Sequence, residues 1–278
     1  SLNSLIPDNF QFYSFWYFIC FYLQLFFSFK IIKKFTNSDL YSITASIFFL
    51  IAPIFIFRVN WHGSFAGQWL LLITLYLGLL KNIDKSKFFW ILLIILAALI
   101  EYSSLIMVSA VYSLLRIFNL KFNKNDISKL IKDFFIISAL LLLTLYLAGY
   151  FEVRLGDTLG VGFGEYKLNL LSIFDPVNSA VNISWSLFLP DIKLSSAEEL
   201  EGFNYLGFGQ ILMLLFAFFL FLNNKYDKNL FIIKNSKNIK YFLFISIFFT
   251  LWALTNKISL GSNTLLEVPL HKYIFGVL

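Results

Sequence analysis

The sequence predicts an all-α protein, a polytopic transmembrane helical bundle of about eight membrane segments. Of its 278 residues, 59% are hydrophobic and only 14% are charged, whereas a soluble domain carries about 25% charged residues. The apolar residues form repeated long runs, which indicate helices, because a transmembrane barrel shows alternation in segments of about ten residues. Lysines collect in alternate connections between these runs, as expected for a multi-pass protein.

Each membrane segment is predicted from an apolar run close to the length of about 20 residues that crosses a hydrocarbon core of about 30 Å. The runs that fit directly are 11–29, 40–57, 65–80, 134–150, 204–222 and 241–256. The run 88–118 would measure about 46 Å as one helix, which is too long for a single crossing without a steep tilt. We therefore divide it into two short helices, 88–100 and 103–118, with Glu101 at the turn.

The basic residues favour this hairpin. Eight segments place 16 of the 22 basic residues on one face, which the positive-inside rule makes cytoplasmic. A single crossing at 88–118 would instead put two neighbouring lysine clusters on opposite sides. The net charge of +6 is therefore a topology signal, and we expect the lipid bilayer, not nucleic acid, as the partner. The 16 residues are Lys30, Lys33, Lys34, Lys81, Lys85, Lys87, Arg116, Lys121, Lys124, Lys129, Lys132, Lys225, Lys228, Lys234, Lys237 and Lys240.

We expect residues 1–278 to form a single transmembrane domain that includes an extracytoplasmic loop region at 151–203. This connection is rich in Gly, Asn, Ser and Asp and holds two prolines, which favours an ordered loop or a re-entrant segment over a helix. The chain begins at Ser1 without a methionine and stops inside an apolar run. We therefore expect it to be an internal fragment of a longer protein.

Arg58 and His62 end the second run on the outer face. They lie four residues apart, so on one helical turn they point the same way. Arginine offers a fork of donors and histidine a tunable proton, which together suit a phosphate group. The alternative is a snorkelling arginine beside an interfacial Trp61, with a histidine that has no role. Gln68 follows at the start of the third run and belongs to the same polar group.

Three carboxylates are candidate catalytic groups. Glu101 lies at the turn of an otherwise apolar hairpin, and acids inside a membrane are costly and mark functional sites. If the turn reaches the interface, Glu101 is simply solvated. Asp157 and Glu165 flank glycines at 160, 162 and 164, which suit either a ligand-binding loop or an ordinary turn-rich one.

The sequence offers little for a metal or a cofactor. His62 and His271 are far apart, and the lone Cys20 excludes an intrachain disulfide or a thiolate cluster. The phosphate-binding loop and the hydrolase and metalloprotease motifs are absent from the sequence. The sequence therefore predicts no metal site built from its own side chains and no cofactor. It does not exclude a requirement for a divalent cation.

Four strings carry a resemblance, namely PIFIFRVNWHGSFAGQWLLL, GFGEYKLNLLSIFDP, SWSLFLP and EGFNYLGFG. They resemble an uncharacterised family of bacterial multi-pass inner-membrane proteins that is grouped with GT-C-like glycosyltransferases. The resemblance implies a GT-C-like fold, an inner-membrane location, a polyprenyl-phosphate-linked sugar as donor and an active site on the extracytoplasmic side. The polar positions in the matching strings, which we expect to bind substrate or phosphate, are Arg58, His62, Gln68, Tyr166, Asn169, Trp185, Glu201 and Asn204.

Two departures from the family pattern affect this expectation. GT-C enzymes place their key acid in the first extracytoplasmic loop, and this chain is expected to begin beyond that loop. Relatives tend to have His-Pro-Tyr where this chain has Glu101-Tyr102.

We expect transfer of a sugar from a polyprenyl-phosphate carrier to an envelope acceptor. The alternatives are a non-catalytic, flippase-like protein that binds lipid-linked glycans and a structural subunit of an envelope complex.

Overall fold

A computed structural model describes residues 11–80, 86–119, 124–152, 167–178, 181–194, 202–222 and 231–268, which are mostly helical. The helices are α1 (Phe12–Ile32), α2 (Asp39–Leu50), α3 (Pro53–Trp61), a 3-10 helix (Gly63–Gln68), α4 (Trp69–Leu79), α5 (Lys87–Ile100), α6 (Tyr102–Phe118), α7 (Lys124–Leu147), α8 (Phe208–Leu222) and α9 (Phe231–Leu254). Two antiparallel hairpins accompany them, β1 (Val177–Asn178) with β2 (Ile183–Ser184) and β3 (Lys257–Leu260) with β4 (Asn263–Glu267).

The chain folds as two compact units. The first unit comprises Ser1–Ile51 and Phe55–Val153, and the second comprises Ala52–Ile54 and Arg154–Leu278. The first unit therefore holds α1, α2 and α4 to α7, while the second holds both β hairpins together with α8 and α9.

Small side chains bring α1 and α2 of the first unit together. Ser28, Ser42 and Ser46 are all buried, and the Ser28 hydroxyl oxygen lies 3.5 Å from the Ser46 carbonyl oxygen, to which it donates. Lipid tails are as apolar as leucine, so burying large apolar side chains does little to stabilise helix pairs in a bilayer. Close backbone approach and interhelical hydrogen bonds stabilise them more. The serine contact is typical of this kind of packing.

Helices α1 and α4 run parallel. Near the start of α1, the Trp16 indole N–H donates to the Gly63 carbonyl with a distance of 2.8 Å between nitrogen and oxygen. Beyond its other end, the Lys34 ammonium lies 5.6 Å from the centre of the Tyr76 ring in α4. The matching ends of the two helices therefore lie side by side, as expected if an oppositely directed segment separates them.

The predicted hairpin is confirmed. Helices α5 and α6 are separated by Glu101 alone, whose backbone is extended with φ −160° and ψ 128°. The rings of Trp90 and Tyr112 are 5.3 Å apart and lie at equal distances along the chain from Glu101, so the two helices are antiparallel. Helix α7 runs in the same direction as α5. The Tyr150 hydroxyl, just beyond the C-terminal end of α7, donates to the carbonyl of Ala98 near the C-terminal end of α5 at 3.0 Å.

A buried ion network lies at the end of this unit opposite Glu101. The Asp133 carboxylate of α7 pairs with Lys87 at the start of α5 and with Arg116 near the end of α6. Asp133 is 6% exposed. The network joins three helices at one level, and it places Lys87 and Arg116 far from the turn of the hairpin, as the charge pattern predicts.

The predicted run 40–57 is broken in the structure. Helix α2 ends at Leu50, α3 begins at Pro53, and their axes differ by 44°. Proline lacks a backbone N–H and disfavours the helical conformation of the residue before it, so the helix stops and restarts at this point. Helices α7 and α9 also begin at Lys124 and Phe231, about ten residues before the predicted 134 and 241.

Within the described residues, two helices are long and apolar enough to cross a membrane, Phe12–Ile32 and Lys124–Leu147. The bent pair of α2 and α3 would make a third if it counts as one span. The other apolar helices, including α5 and α6, are shorter. The chain is therefore a mainly helical, membrane-associated protein.

Candidate functional site

The phosphate-binding candidates Arg58 and His62 lie against the same aromatic ring. The Arg58 guanidinium carbon lies 5.6 Å from the centre of the Phe65 ring, and the His62 ring meets it edge-on at 5.1 Å. Arg58 belongs to α3, and the His62 N–H donates to the Arg58 carbonyl at 2.9 Å. His62 is exposed and Arg58 is half-buried, so solvent reaches at least part of both side chains.

The segment after His62 is held against the start of α1. Gly63 accepts the Trp16 indole N–H, and a Cβ at Gly63 would lie 3.1 Å from the Tyr17 hydroxyl oxygen. That distance is shorter than most real Cβ contacts, so glycine permits this close approach. The 3-10 helix that begins here carries Ser64 and Phe65.

Glu101 is bound to this segment. The Ser64 hydroxyl donates to Glu101 Oε2 at 2.6 Å, and Glu101 is half-buried. A Cβ on Gly67 would lie 3.1 Å from Ile100 Cγ2, so the 3-10 helix also packs closely on the last residue of α5. The structure therefore brings one carboxylate and the basic pair to the same end of the first unit.

We refer to Arg58, His62, Ser64, Phe65 and Glu101 as the Phe65 cluster. Sequence reasoning predicted its three charged or titratable members but missed Ser64 and Phe65. No local signal connects Ser64 with Glu101, because 37 positions separate them in the chain. Gln68, also predicted, is half-buried at the last position of the 3-10 helix, directly before the buried Trp69.

In the second unit, the Asn169 side chain holds two segments of the chain together. It is fully buried, its amide nitrogen donates to the Gly261 carbonyl at 2.8 Å, and its carbonyl oxygen accepts from the Gly261 and Leu171 N–H groups at 3.0 Å each. These bonds join the segment after residue 167 to the turn between β3 and β4. A role of Asn169 in substrate binding stays a prediction.

Trp185 and Asn204 lie in the same unit, next to a buried aromatic pair. The Trp185 ring is 6.3 Å from that of Phe203, which is 6.5 Å from Tyr205. The Trp185 indole nitrogen is buried without a hydrogen-bond partner among the described residues. The Asn204 amide donates to the nearby Gly202 carbonyl at 2.6 Å. Their predicted contact with substrate stays a prediction.

The described stretches of residues 151–203 consist of turns, extended segments and the β1–β2 hairpin; the side of the membrane on which they lie stays a prediction. The buried Asp175 carboxylate accepts from the Val177 and Ile192 N–H groups at 3.1 and 3.3 Å, which closes the loop around the β1–β2 hairpin. The predicted residues Asp157, Glu165, Tyr166 and Glu201 lie outside the described residues. Within the described ranges, no three His, Cys, Asp or Glu side chains converge to hold a metal ion.

Comparison with known proteins identifies a family but no activity. No curated protein and no solved structure matches the chain. The family described as "Domain of unknown function (DUF6311)" matches over residues 1–278, so the match covers both units and the whole Phe65 cluster. The chain therefore belongs to the DUF6311 family, an uncharacterised family.

Proposed function

We propose that this chain is the transmembrane domain of a GT-C-like glycosyltransferase of the bacterial inner membrane. It would transfer a sugar from a polyprenyl-phosphate carrier to an envelope acceptor on the extracytoplasmic side. The observation that carries the proposal is the Phe65 cluster, in which Arg58 and His62 share one ring while Glu101 is bonded to the same segment through Ser64. The reaction needs positive charge for the carrier phosphate and a carboxylate base for the acceptor hydroxyl, and the basic pair and the Ser64-bonded Glu101 supply these groups at the same end of the first unit.

The proposal includes eight membrane segments, which are α1, the α2–α3 pair, and α4 to α9. Helices α5 and α6 measure about 21 and 26 Å at a rise of 1.5 Å per residue, somewhat less than the hydrocarbon core. Local thinning of the bilayer accommodates a mismatch of this size at a modest cost. The positions of Lys87 and Arg116, opposite Glu101, support an outward-facing Phe65 cluster through the positive-inside rule.

The basic pair would bind the carrier phosphate. A lipid-linked sugar keeps its phosphate at headgroup depth, where a ring-supported guanidinium can offer two parallel N–H donors. As the bond to the sugar breaks, negative charge grows on the phosphate, and fixed positive charge stabilises that change. Neutral His62 can donate a hydrogen bond to the phosphate, and protonated His62 also carries a positive charge. Arg58 and His62 therefore serve both binding and catalysis in this proposal.

Glu101 would act as the general base. The acceptor hydroxyl oxygen attacks the anomeric carbon and its proton passes to the Glu101 carboxylate, while the carbon–oxygen bond to the phosphate breaks and polyprenyl phosphate leaves. Glu101 accepts a hydrogen bond from Ser64 at 2.6 Å, which holds the carboxylate in place. Asp157 and Glu165 are the other candidate acids. For Tyr166, Asn169, Trp185, Glu201 and Asn204, substrate binding remains an expectation from the family resemblance, and this mechanism assigns them no step.

Transfer measured in proteoliposomes tests the proposal. With a labelled polyprenyl-phosphate sugar as donor, we expect Arg58→Ala to lower the transfer rate about 100-fold or more, since a lost charge contact to the transition state costs about 2.7–4 kcal/mol. Glu101→Gln, which keeps the shape of the side chain, should lower it about as strongly. Lys34→Ala, which removes a cation from the other end of the same unit, should leave the rate unchanged.

Binding measured on the same preparations separates transfer from the second candidate function. A bonded, half-buried carboxylate also suits a site that only holds a lipid-linked glycan. If the protein binds the donor and Arg58→Ala weakens that binding, but no sugar is transferred to any envelope acceptor, the protein is a non-catalytic binder of lipid-linked glycans. Unchanged donor binding in Arg58→Ala would contradict both functions.

A further inference from the structure

The loop that follows β2 exposes two adjacent apolar side chains. Leu187 is 97% exposed and Phe188 is 77% exposed, the two highest values among the described large hydrophobic residues. A single exposed leucine needs no explanation, but adjacent large apolar side chains at a loop tip form a surface that favours contact with another apolar phase.

The backbone around this tip has a defined conformation. The Phe188 N–H donates to the Ser186 hydroxyl at 3.1 Å, and the Ser184 hydroxyl donates to the Ser186 carbonyl at 2.9 Å. At the base of the loop, the Trp185 N–H donates to the Pro176 carbonyl at 2.8 Å. Because short side-chain bonds to the backbone fix the turn, the two apolar side chains are held outward.

The tip contacts the first residue of an apolar helix. The rings of Phe188 and Phe208 are stacked, with centres 5.2 Å apart and planes 25° from parallel. Phe208 begins α8, and the exposed fractions of Leu214, Leu215 and Phe216 in that helix are 59%, 59% and 63%. These three residues point in different directions around the helix, so α8 is apolar and exposed on several sides, as expected for a helix surrounded by lipid.

We propose that Leu187 and Phe188 insert into the bilayer interface beside the N-terminal end of α8. The stack on Phe208 places the tip at the level where that helix enters the apolar phase, and the next charged residues along the loop, Asp191 and Lys193, are exposed and remain in water. The insertion fastens the β1–β2 region to the membrane surface. It does not depend on glycosyl transfer.

Spin labels report this insertion directly in the full chain reconstituted in lipid nanodiscs. In a background with the buried Cys20 replaced by alanine, single cysteines at Leu187, Lys193 and Phe216 are labelled with a nitroxide. The accessibility of each label to oxygen and to a water-soluble nickel chelate gives its depth. Leu187→Cys should not disturb folding, because almost all of that side chain is already exposed.

We expect the label at position 187 to lie at interfacial depth, within about 5–10 Å of the boundary between headgroups and acyl chains. Position 193 should report water and position 216 the bilayer interior. Equal nickel accessibility at positions 187 and 193 would overturn the proposal, as would a water-exposed label at 216. Protection of position 187 from both reagents would show that protein covers the tip, and it would overturn the proposal as well.

Discussion

Asn169 joins two separate stretches of the second unit through one carboxamide. Its nitrogen and oxygen make three hydrogen bonds to backbone groups of Gly261 and Leu171, and the side chain is fully buried. Gly261 has a positive φ of 59°, which suits a tight turn that glycine adopts without strain. Such a site tolerates only a side chain that supplies both a donor and an acceptor.

Removal of this carboxamide should destabilise the second unit. Asn169→Ala leaves buried backbone groups without partners, each at about 1–3 kcal/mol, so we expect a loss of about 3 kcal/mol in unfolding free energy. Asn169→Asp keeps the acceptor but turns a carboxylate oxygen toward the Gly261 carbonyl oxygen in a fully buried site, so it should cost at least as much. The half-buried Asn204, with its bond to Gly202, is the control, and Asn204→Ala should cost about 1 kcal/mol. Thermal unfolding in nanodiscs measures these changes. Equal stability of all three variants would contradict the structural role of the Asn169 hydrogen bonds.

At the same scale, the sequence indicates which charged or titratable residues interrupt the apolar runs, but it does not indicate which side chains they contact. Arg58, His62 and Glu101 stand out because charged or titratable groups are costly in an apolar run. Ser64 and Phe65 do not stand out, since serine and phenylalanine are common in such a sequence. The contact of Ser64 with Glu101 results from tertiary packing of the 3-10 helix against the α5–α6 turn, which no local pattern encodes.

At the scale of elements, the ion network of Asp133 connects α5, α6 and α7. Breaking a buried ion pair leaves uncompensated charge and costs about 3–5 kcal/mol. For Asp133→Asn we expect a loss near the lower value, because the Lys87 side chain is 32% exposed and can regain water. The Arg116 side chain is only 14% exposed and cannot do so easily.

The control for this prediction is the exposed pair of Lys33 and Asp39 in the same unit. Its nitrogen and oxygen are 2.5 Å apart, but the Asp39 side chain is 72% exposed. Exposed pairs contribute about 0–1 kcal/mol, so Asp39→Asn should lower stability by less than 1 kcal/mol. Chemical unfolding of both variants in mixed micelles measures the difference. Equal losses would show that the Asp133 network is not structurally important.

The contact of Gly67 with Ile100 fixes how closely the 3-10 helix approaches α5. Because an added Cβ would lie 3.1 Å from Ile100 Cγ2, Gly67→Ala should overpack the contact and cost about 1–3 kcal/mol. Ile100→Ala removes the opposing methyl group, so the double variant should be less destabilised than the sum of the two single variants. Strictly additive losses in a double-mutant cycle would contradict this close packing.

The helix positions were predictable where a physical limit applied. The division at Glu101 follows from a run too long for one crossing, and the structure confirms it. The break before Pro53 was missed because a single proline hardly lowers the mean hydropathy of an apolar run. The early start of α7 was missed because Lys124–Lys132 is polar, and hydropathy does not detect a helix that extends beyond its apolar part.

At the scale of the whole molecule, each apolar run and each lysine cluster is a local signal, and together they predict that successive segments alternate in direction. In the first unit, the parallel course of α1 and α4 and the antiparallel α5–α6 hairpin agree with that order. The hydrogen bonds that join Asn169 to the turn between β3 and β4 could not be predicted, since they connect segments 92 positions apart in the chain.

The account depends on the Phe65 cluster and the lysine-rich connections lying on opposite sides of the membrane. Labelling of single cysteines with an impermeant maleimide in intact spheroplasts tests this directly, in a background without Cys20. The exposed His62 reports the cluster, and the exposed Asn37 reports the connection between α1 and α2. We predict that position 62 reacts from outside and that position 37 reacts only after permeabilisation. Reaction of both positions from the same side, or in the reverse order, would contradict the account.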